Sequence, residues 1–169
     1  MSAKGIRDID VIRTFVLQGT LNFTRYFFKI RQKRKFVIGK HHREIAAALD
    51  KVLCGEITRL IINIAPRYGK TELAVKNFIA EGLAINPKAK FIHLSYSDDL
   101  ARDNSRGVQD IINEPEYRRI FPATIPTSTN TKKWYTTEGG GLYAVSSAGQ
   151  VTGFGAGVVD EEENDELAK

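Results

Sequence analysis

Gly69, Lys70 and Thr71 are three consecutive residues whose types and order suit the binding of nucleotide phosphates. Glycine lets the backbone approach the phosphates closely, lysine reaches their β and γ oxygens, and a threonine hydroxyl binds Mg²⁺. The usual phosphate loop opens with a glycine five residues before the Gly-Lys pair, and Ile64 holds that place here. Pro66 fixes a turn where glycine would permit one, although it removes an N–H donor. These residues predict a site for ATP and Mg²⁺, with Thr71 as the metal ligand.

The elements on either side of this tripeptide favour a nucleotide site over a chance Gly-Lys-Thr on the surface. The apolar run RLIINIA, residues 59–65, predicts a buried strand that is apolar on both faces. Residues 71–83 predict a helix that is closed by Asn86-Pro87. A helix N-terminus carries unpaired N–H groups and about half a positive charge, which suits a phosphate.

Hydrophobic periodicity predicts further helices and strands along the chain. They are helices over residues 10–34, 42–53 and 97–113, and strands over residues 90–97, 134–135 and 142–147. Gly19 is a candidate break in the first helix, Gly55 a natural stop for the second, and Ser97 a cap for the third. This order predicts an α/β, P-loop NTPase-like layered fold, with a largely parallel sheet flanked by helices.

Composition limits the class of protein. With 169 residues and 42% hydrophobic content, the chain is long enough for one domain with a real core. No stretch approaches the ~20 continuous apolar residues of a membrane span, and no signal peptide opens the sequence. Cys54 is the single cysteine, which fits a reducing compartment and predicts a buried thiol rather than a metal or redox role. The expected location is the cytoplasm.

The net charge of +5 conceals a gradient along the chain. Residues 1–44 hold eleven Lys and Arg against three acids, whereas residues 160–169 hold six acids against one lysine. The densest basic stretch, RYFFKIRQKRK over residues 25–35, mixes bases with aromatics. Such a stretch suits contact with a nucleic-acid backbone. The alternative, which we favour, is an amphipathic helix with its aromatics in the core and its bases in water.

Four stretches of the sequence, in this order, resemble the ATPase domain in the large subunit of viral terminases, the motors that pump DNA into procapsids. The four stretches, which fall within residues 25–157, are HHREIAAALDKVLCGEI, GEITRLIINIAPRYGKTE, HLSYSDDLARDNSRGVQDIINEPEYRRIFP and VSSAGQVTGFGAG. In that family Pro-Arg often precedes the Gly-Lys-Ser/Thr of the loop, as Pro66 and Arg67 do here. The loop alone is moderately specific, and the four stretches in order are highly specific.

The resemblance assigns roles to the loop residues. It implies that residues 66–72 bind the nucleotide and that Arg67 acts with Lys70 in catalysis near the γ-phosphate, where a guanidinium offsets charge on the transferring group. The alternative for Arg67 is a solvated side chain or a structural ion pair. Tyr68 belongs to the loop, and Glu72 is interpreted as a helix N-terminal acid rather than a catalyst.

Three other groups of residues receive weaker interpretations. Residues 95–97 either link nucleotide state to movement or form an ordinary strand end with a helix cap. Residues 41–42 are two adjacent histidines without a visible partner cluster, so a metal site is not expected, although the resemblance places this region near the base of the nucleotide. Trp134 and Tyr135 are interpreted as hairpin and core residues.

The acidic end of the chain departs from what ATP hydrolysis requires. This chemistry needs an acid after an apolar strand, to hold Mg²⁺, and a carboxylate that positions water. Asp160 and Glu161 are the candidates, but only Val158 and Val159 precede them. In the family the acidic strand often follows a charged insertion, so DEEENDELAK is interpreted as a mobile acidic loop. The sequence is then expected to stop before its acidic strand, and the family's nuclease domain is not expected.

The predicted organisation is a basic helical segment over 1–40, part of an ATPase core over 41–157, and an acidic loop or truncated end over 158–169. The resemblance implies the ATP-binding part of a packaging motor that couples hydrolysis to translocation of duplex DNA. It also implies sequence-independent binding of double-stranded DNA, a portal protein and a small terminase subunit as partners, a homo-oligomeric ring, and the host cell cytoplasm as location. Two alternatives stay open: a helicase-like DNA-dependent ATPase, and a non-catalytic nucleotide-binding module.

Overall fold

The computed structural model describes residues 3–147, with side chains from residue 8 onward, as a mixed α/β protein. Its elements alternate between helices and short strands. In chain order they are α1 (Ala3–Val16), α2 (Thr20–Gln32), α3 (Lys40–Leu53), a π-helical turn (Glu72–Asn77), α4 (Phe78–Ile85), β1 (Lys90–Ser95), α5 (Asp98–Asn113), α6 (Pro115–Ile120), β2 (Lys133–Tyr135) and β3 (Gly141–Ser146).

The break between α1 and α2 falls at Gly19, as predicted. Its φ of +154° is a conformation that other residues rarely adopt, and a Cβ there would lie 2.9 Å from Asp50 Oδ2. Gly19 has no side chain to cap α2, and the Thr20 N–H instead donates to Asp50 Oδ1 of α3 at 2.7 Å. A carboxylate from a neighbouring helix therefore caps α2.

The main core joins the N-terminal helices to the rest of the described chain. Phe23 and Phe27 of α2 are fully buried, and both rings pack against Tyr117 and Phe121 with centroids 5.3–6.5 Å apart. The Tyr117 hydroxyl donates to the carbonyl of Ala80 on α4 at 2.8 Å. The aromatics of the basic stretch that face inward thus form part of the core, as the amphipathic-helix interpretation predicts.

The sheet has three strands in the order β1-β3-β2. β1 pairs parallel with β3 over six residues, from Lys90↔Gly141 to Ser95↔Ser146. β2 pairs antiparallel with β3, because a short turn joins them and a parallel pairing requires a longer crossover. The predicted α/β class is confirmed in this coarse form, while the described sheet is mixed rather than largely parallel.

The predicted buried strand over residues 59–65 is wrong. This segment has no regular secondary structure, and no strand pairs with it among the described residues. Ile62 and Ile64 pack against Ile45, Leu49 and Leu73, whereas Ile61 is 86% exposed. The apolar run is covered on one face only, by α3 and the helix that follows the loop. An apolar run is buried on both faces only where helices or strands pack against both of its faces.

Local signals placed most other boundaries correctly. The predicted helix over 42–53 is α3, and Gly55 follows its end with a φ of +80°. Ser97 caps α5, since its Oγ accepts from the Leu100 N–H at 3.2 Å. These signals depend on side chains close in sequence to the helix ends that they determine.

The prediction of a buried thiol at Cys54 is also wrong. Cys54 follows the last residue of α3 and is exposed, with its Sγ near the carbonyl oxygen of Lys51. The end of α3 lies at the surface, so within the described residues the Cys54 side chain has no buried apolar neighbours to pack against. No described helix is both long enough and apolar enough to cross a lipid bilayer.

Candidate nucleotide-binding site

The loop that follows residues 59–65 has an unusual backbone. Its first residue, Pro66, has a fixed φ and favours extended backbone at Ala65 before it. Arg67 follows with a φ of +68°, and Gly69 has a φ of +73°. Proline followed by a residue with positive φ is the arrangement of a type II turn, in which glycine usually takes the second place. Arg67 accepts a conformation that costs roughly 1–2 kcal/mol, and such strain is concentrated at functional sites.

A helix begins directly after this turn. Lys70 is its first helical residue, and the Leu73 N–H makes the first i→i−4 bond, to the Gly69 carbonyl at 3.0 Å. The N–H groups of Lys70, Thr71 and Glu72 come before this bond, at the end where a helix lacks intrahelical acceptors. The helix continues through the π-helical turn to Ile85. Its N-terminus suits an anion.

The loop and the helix start enclose a cavity of about 410 Å³. It is lined by Ala65 and by the predicted binding residues Pro66, Arg67, Gly69, Lys70, Thr71 and Glu72. Tyr68 is not in this lining; its ring is 54% exposed and packs edge-on against His41, with centroids 5.5 Å apart. Arg67 and Lys70 are exposed, and within residues 3–147 neither forms a salt bridge. The cavity therefore has two cations available for an anionic ligand.

Glu72 is held by other side chains. Its Oε1 accepts from Arg31 Nη1 at 2.9 Å and from Asn77 Nδ2 at 3.0 Å. The same Asn77 amide donates to the backbone carbonyl of Glu72 at 2.8 Å, five residues back, across the π-helical turn. Because Arg31 offsets its charge, the Glu72 carboxylate opposes an anion in the cavity less than a free acid would. Single π-helical turns within α-helices often lie at functional sites.

His42 supports the loop from beneath, a role that the sequence did not suggest. It is the third residue of α3 and only 6% exposed. Its Nδ1 accepts from the Gly39 N–H at 2.9 Å, and its Nε2 lies 2.9 Å from the Tyr68 carbonyl oxygen. Desolvation by burial lowers the pKa of His42 below its ordinary value, partly opposed by the bond to Tyr68. The pair of adjacent histidines was the only signal in the sequence, and it does not reveal a partner in the loop.

The other candidate residues lie outside this cavity. Tyr96 is 89% exposed, Ser97 caps α5, and the carbonyl of Ser95 accepts from the N–H of Ser147. None of these three residues lines the cavity at the loop. Asp160 and Glu161 are outside the residues that the structure describes.

The interpretation of Trp134 and Tyr135 as core residues is correct for the first only. Trp134 is buried, and its Nε1–H donates to Ser105 Oγ at 2.9 Å. Tyr135, on the opposite side of β2, is 38% exposed. Alternation along a strand places successive side chains on opposite faces, and only one face of this hairpin meets the core.

The basic stretch divides between two surfaces. Arg25, Lys29 and Lys35 line a concave region of about 240 Å³ together with Phe15, Tyr26 and Phe36. Arg31 lies elsewhere: its guanidinium is bound to Glu72 and its side chain is only 9% exposed. The prediction that the bases of this stretch are exposed is therefore wrong for Arg31. The Glu72 carboxylate, at the start of the loop helix, binds its guanidinium.

The chain was compared with family models, curated proteins and solved structures, and nothing matches it in any of the three comparisons. The resemblance to viral terminases thus rests on the four sequence stretches alone. The candidate nucleotide site has observations of its own: the loop conformation, the helix start and two cations that form no salt bridge within residues 3–147.

Proposed function

We propose that residues 65–72 bind the phosphates of ATP together with Mg²⁺. The observation that carries this proposal is the loop geometry: positive φ at Arg67 and Gly69, followed at once by a helix that begins at Lys70. Successive left-handed and right-handed residues turn backbone N–H groups toward one point and make an anion-binding concavity. The Gly69-Lys70-Thr71 order then supplies the side chains that a triphosphate requires.

The residues present fit this ligand in charge and in size. The cavity of about 410 Å³ is in the range of small-molecule sites. A triphosphate would meet the helix N-terminus and two cations that form no salt bridge among the described residues. In this proposal Lys70 binds the β and γ oxygens, and the Thr71 hydroxyl binds Mg²⁺. Arg67 is the candidate for offsetting charge on the transferring group.

We propose further that the protein has the P-loop NTPase-like layered fold and is the ATP-binding part of a terminase-type DNA-packaging motor. The parallel pairing of β1 with β3 supports this fold. The four stretches that resemble terminases support the motor, and with it duplex DNA, the portal protein, the small subunit and a ring as partners. The basic and aromatic concavity on α2 supports the DNA part of this proposal.

Isothermal calorimetry with ATP and Mg²⁺ tests the nucleotide site. Lys70→Ala should weaken binding roughly 10- to 100-fold, since a hydrogen bond to a charged group contributes about 1.5–3 kcal/mol. Lys70 is exposed, so the fold should be unaffected. Lys88→Ala, which removes an exposed lysine from the turn after α4, is the matched control and should bind as the wild type does. Equal affinity of the wild type and the Lys70 variant would show that the loop is not the site.

A further inference from the structure

Two hydrogen bonds between the His42 ring and the backbone determine its protonation state. His41 Nε2 also lies 3.2 Å from His42 Nε2, but an imidazole nitrogen can donate or accept and so fits either tautomer. The Gly39 N–H can only donate, so Nδ1 must be unprotonated to accept it. The Tyr68 carbonyl can only accept, so Nε2 must carry the proton. The backbone on either side of the ring therefore selects the neutral Nε2–H tautomer.

This ring also fills the space beneath the loop. A Cβ on Gly69 would lie 2.8 Å from His42 Nε2 and 3.4 Å from Phe36 Cζ, and the rings of Phe36 and His42 pack 4.9 Å apart. A trans peptide points its C=O and N–H in opposite directions. Because the Tyr68 carbonyl points toward His42, the Gly69 N–H must point away from α3, toward the side of the loop on which a ligand can approach.

We propose that His42 is a positioning residue that holds the phosphate loop in its binding conformation by donating Nε2–H to the Tyr68 carbonyl. This inference rests on the proposed nucleotide site. It adds that the orientation of the Tyr68–Gly69 peptide is set by a side chain on α3 that lies outside the lining of the cavity. Without this donor no hydrogen bond from His42 holds the Tyr68 carbonyl toward α3. The Tyr68–Gly69 peptide can then rotate, and the N–H groups of the loop no longer point in one direction.

Two variants separate the two bonds of the ring. The amide oxygen of His42→Asn can take the place of Nδ1 and keep the Gly39 bond, but its nitrogen falls short of Tyr68. The amide nitrogen of His42→Gln can reach the place of Nε2 and keep the Tyr68 bond. We expect His42→Asn to weaken ATP–Mg²⁺ binding roughly 10-fold and His42→Gln to stay within about 3-fold of the wild type. Equal loss in both variants, or loss in neither, overturns the proposal.

A readout without nucleotide separates this inference from the proposed function. Long-range ¹H–¹⁵N NMR spectra of the full chain should show His42 with a protonated Nε2 and an unprotonated Nδ1 at neutral pH. Exchange of the Leu73 amide, which makes the first bond of the loop helix, should be roughly 10-fold faster in His42→Asn than in His42→Gln. The opposite tautomer overturns the inference. A wild type that binds no ATP, with these loop differences intact, overturns the proposed function and leaves the positioning role standing.

Discussion

Glu81 is an ionisable residue on α4 that the fold buries without a full set of partners. It is 1% exposed, and within the described part of the chain its Oε2 has no hydrogen-bond partner. Desolvation raises the pKa of Glu81 to about 8, the Thr20 hydroxyl opposes this shift, and the Asp50 carboxylate adds to it. An unfolded glutamate ionises near 4.5. Between these two pH values the folded state holds a proton that the unfolded state has released, so stability must fall as pH rises.

Glu81→Gln should remove this pH dependence. The variant should match the wild type within about 1 kcal/mol at pH 5 and exceed its free energy of unfolding by on the order of 2–4 kcal/mol at pH 8. Urea unfolding of both proteins at pH 5, 6, 7 and 8 measures the difference. Parallel curves for the two proteins would mean that Glu81 ionises in the folded state as it does in water.

Arg67 combines backbone strain with a charge at the cavity that forms no salt bridge within residues 3–147. Arg67→Gly is a sharper test than Arg67→Ala, because glycine adopts a φ of +68° without strain and keeps the loop conformation. In an ATPase-active form of the protein, Arg67→Gly should lower the turnover rate at least 10-fold more than it weakens ATP binding. Steady-state kinetics and calorimetry measure the two effects. Equal losses would identify Arg67 as a ground-state phosphate contact.

At the scale of elements, the helices support one another at their ends. Asp50 of α3 caps α2, and Arg31 of α2 binds Glu72 at the start of the loop helix. In the first contact a carboxylate accepts from an N–H group at a helix start, and in the second a guanidinium pairs with a carboxylate. The N-terminal helices and the helix that follows residues 65–72 are therefore connected by packing and by an ion pair.

Two variants of Asp50 test the cap of α2, because one removes the hydrogen-bond acceptor and the other removes only the charge. Asp50→Ala should lower the free energy of unfolding by about 1 kcal/mol, the usual cost of a lost N-cap, while Asp50→Asn keeps the acceptor and most of the stability. Unfolding should be measured at pH 5, where Glu81 is protonated in the folded state and its repulsion by Asp50 does not contribute. Equal stability of the two variants would show that the carboxylate does not act as a cap.

At the scale of the whole molecule, the exposed positive charge is concentrated beside α2. Lys33, Arg34 and Lys35 are exposed, and the Arg34 guanidinium lies over the Phe28 ring, 5.7 Å from its centroid. The packaging motor that we propose must move any genome, so it should contact phosphates rather than base edges. This basic surface is the part of the described chain that best fits such contacts.

DNA binding should be independent of sequence and should weaken steeply with salt. Serine substitution of Lys33, Arg34 and Lys35 together should reduce the slope of log affinity against log salt by about 2–3, since each phosphate contact contributes about 0.9. Fluorescence anisotropy with two unrelated duplexes at low and moderate salt measures this slope. Arg31→Ser is the matched control and should leave DNA binding unchanged, because Glu72 holds that guanidinium. Undiminished binding by the triple variant would exclude this surface.

The sequence by itself determined the local features of this protein. Gly19 and Gly55 separate and end helices through backbone freedom, Ser97 caps its own helix, and Pro66 to Thr71 carry the pattern of the phosphate loop. Each of these features depends on residues within a few positions of one another. Local chemistry of this kind can be predicted from a single sequence.

Only the tertiary structure decided which distant residues meet. The contacts between His42 and Tyr68, Thr20 and Asp50, and Arg31 and Glu72 span 26, 30 and 41 positions. No spacing rule relates such pairs, since they follow from how whole helices pack. The same reason explains why the strand predicted over residues 59–65 is wrong. An apolar run indicates that burial of its side chains is favourable, but the arrangement of neighbouring elements determines which of its faces is covered.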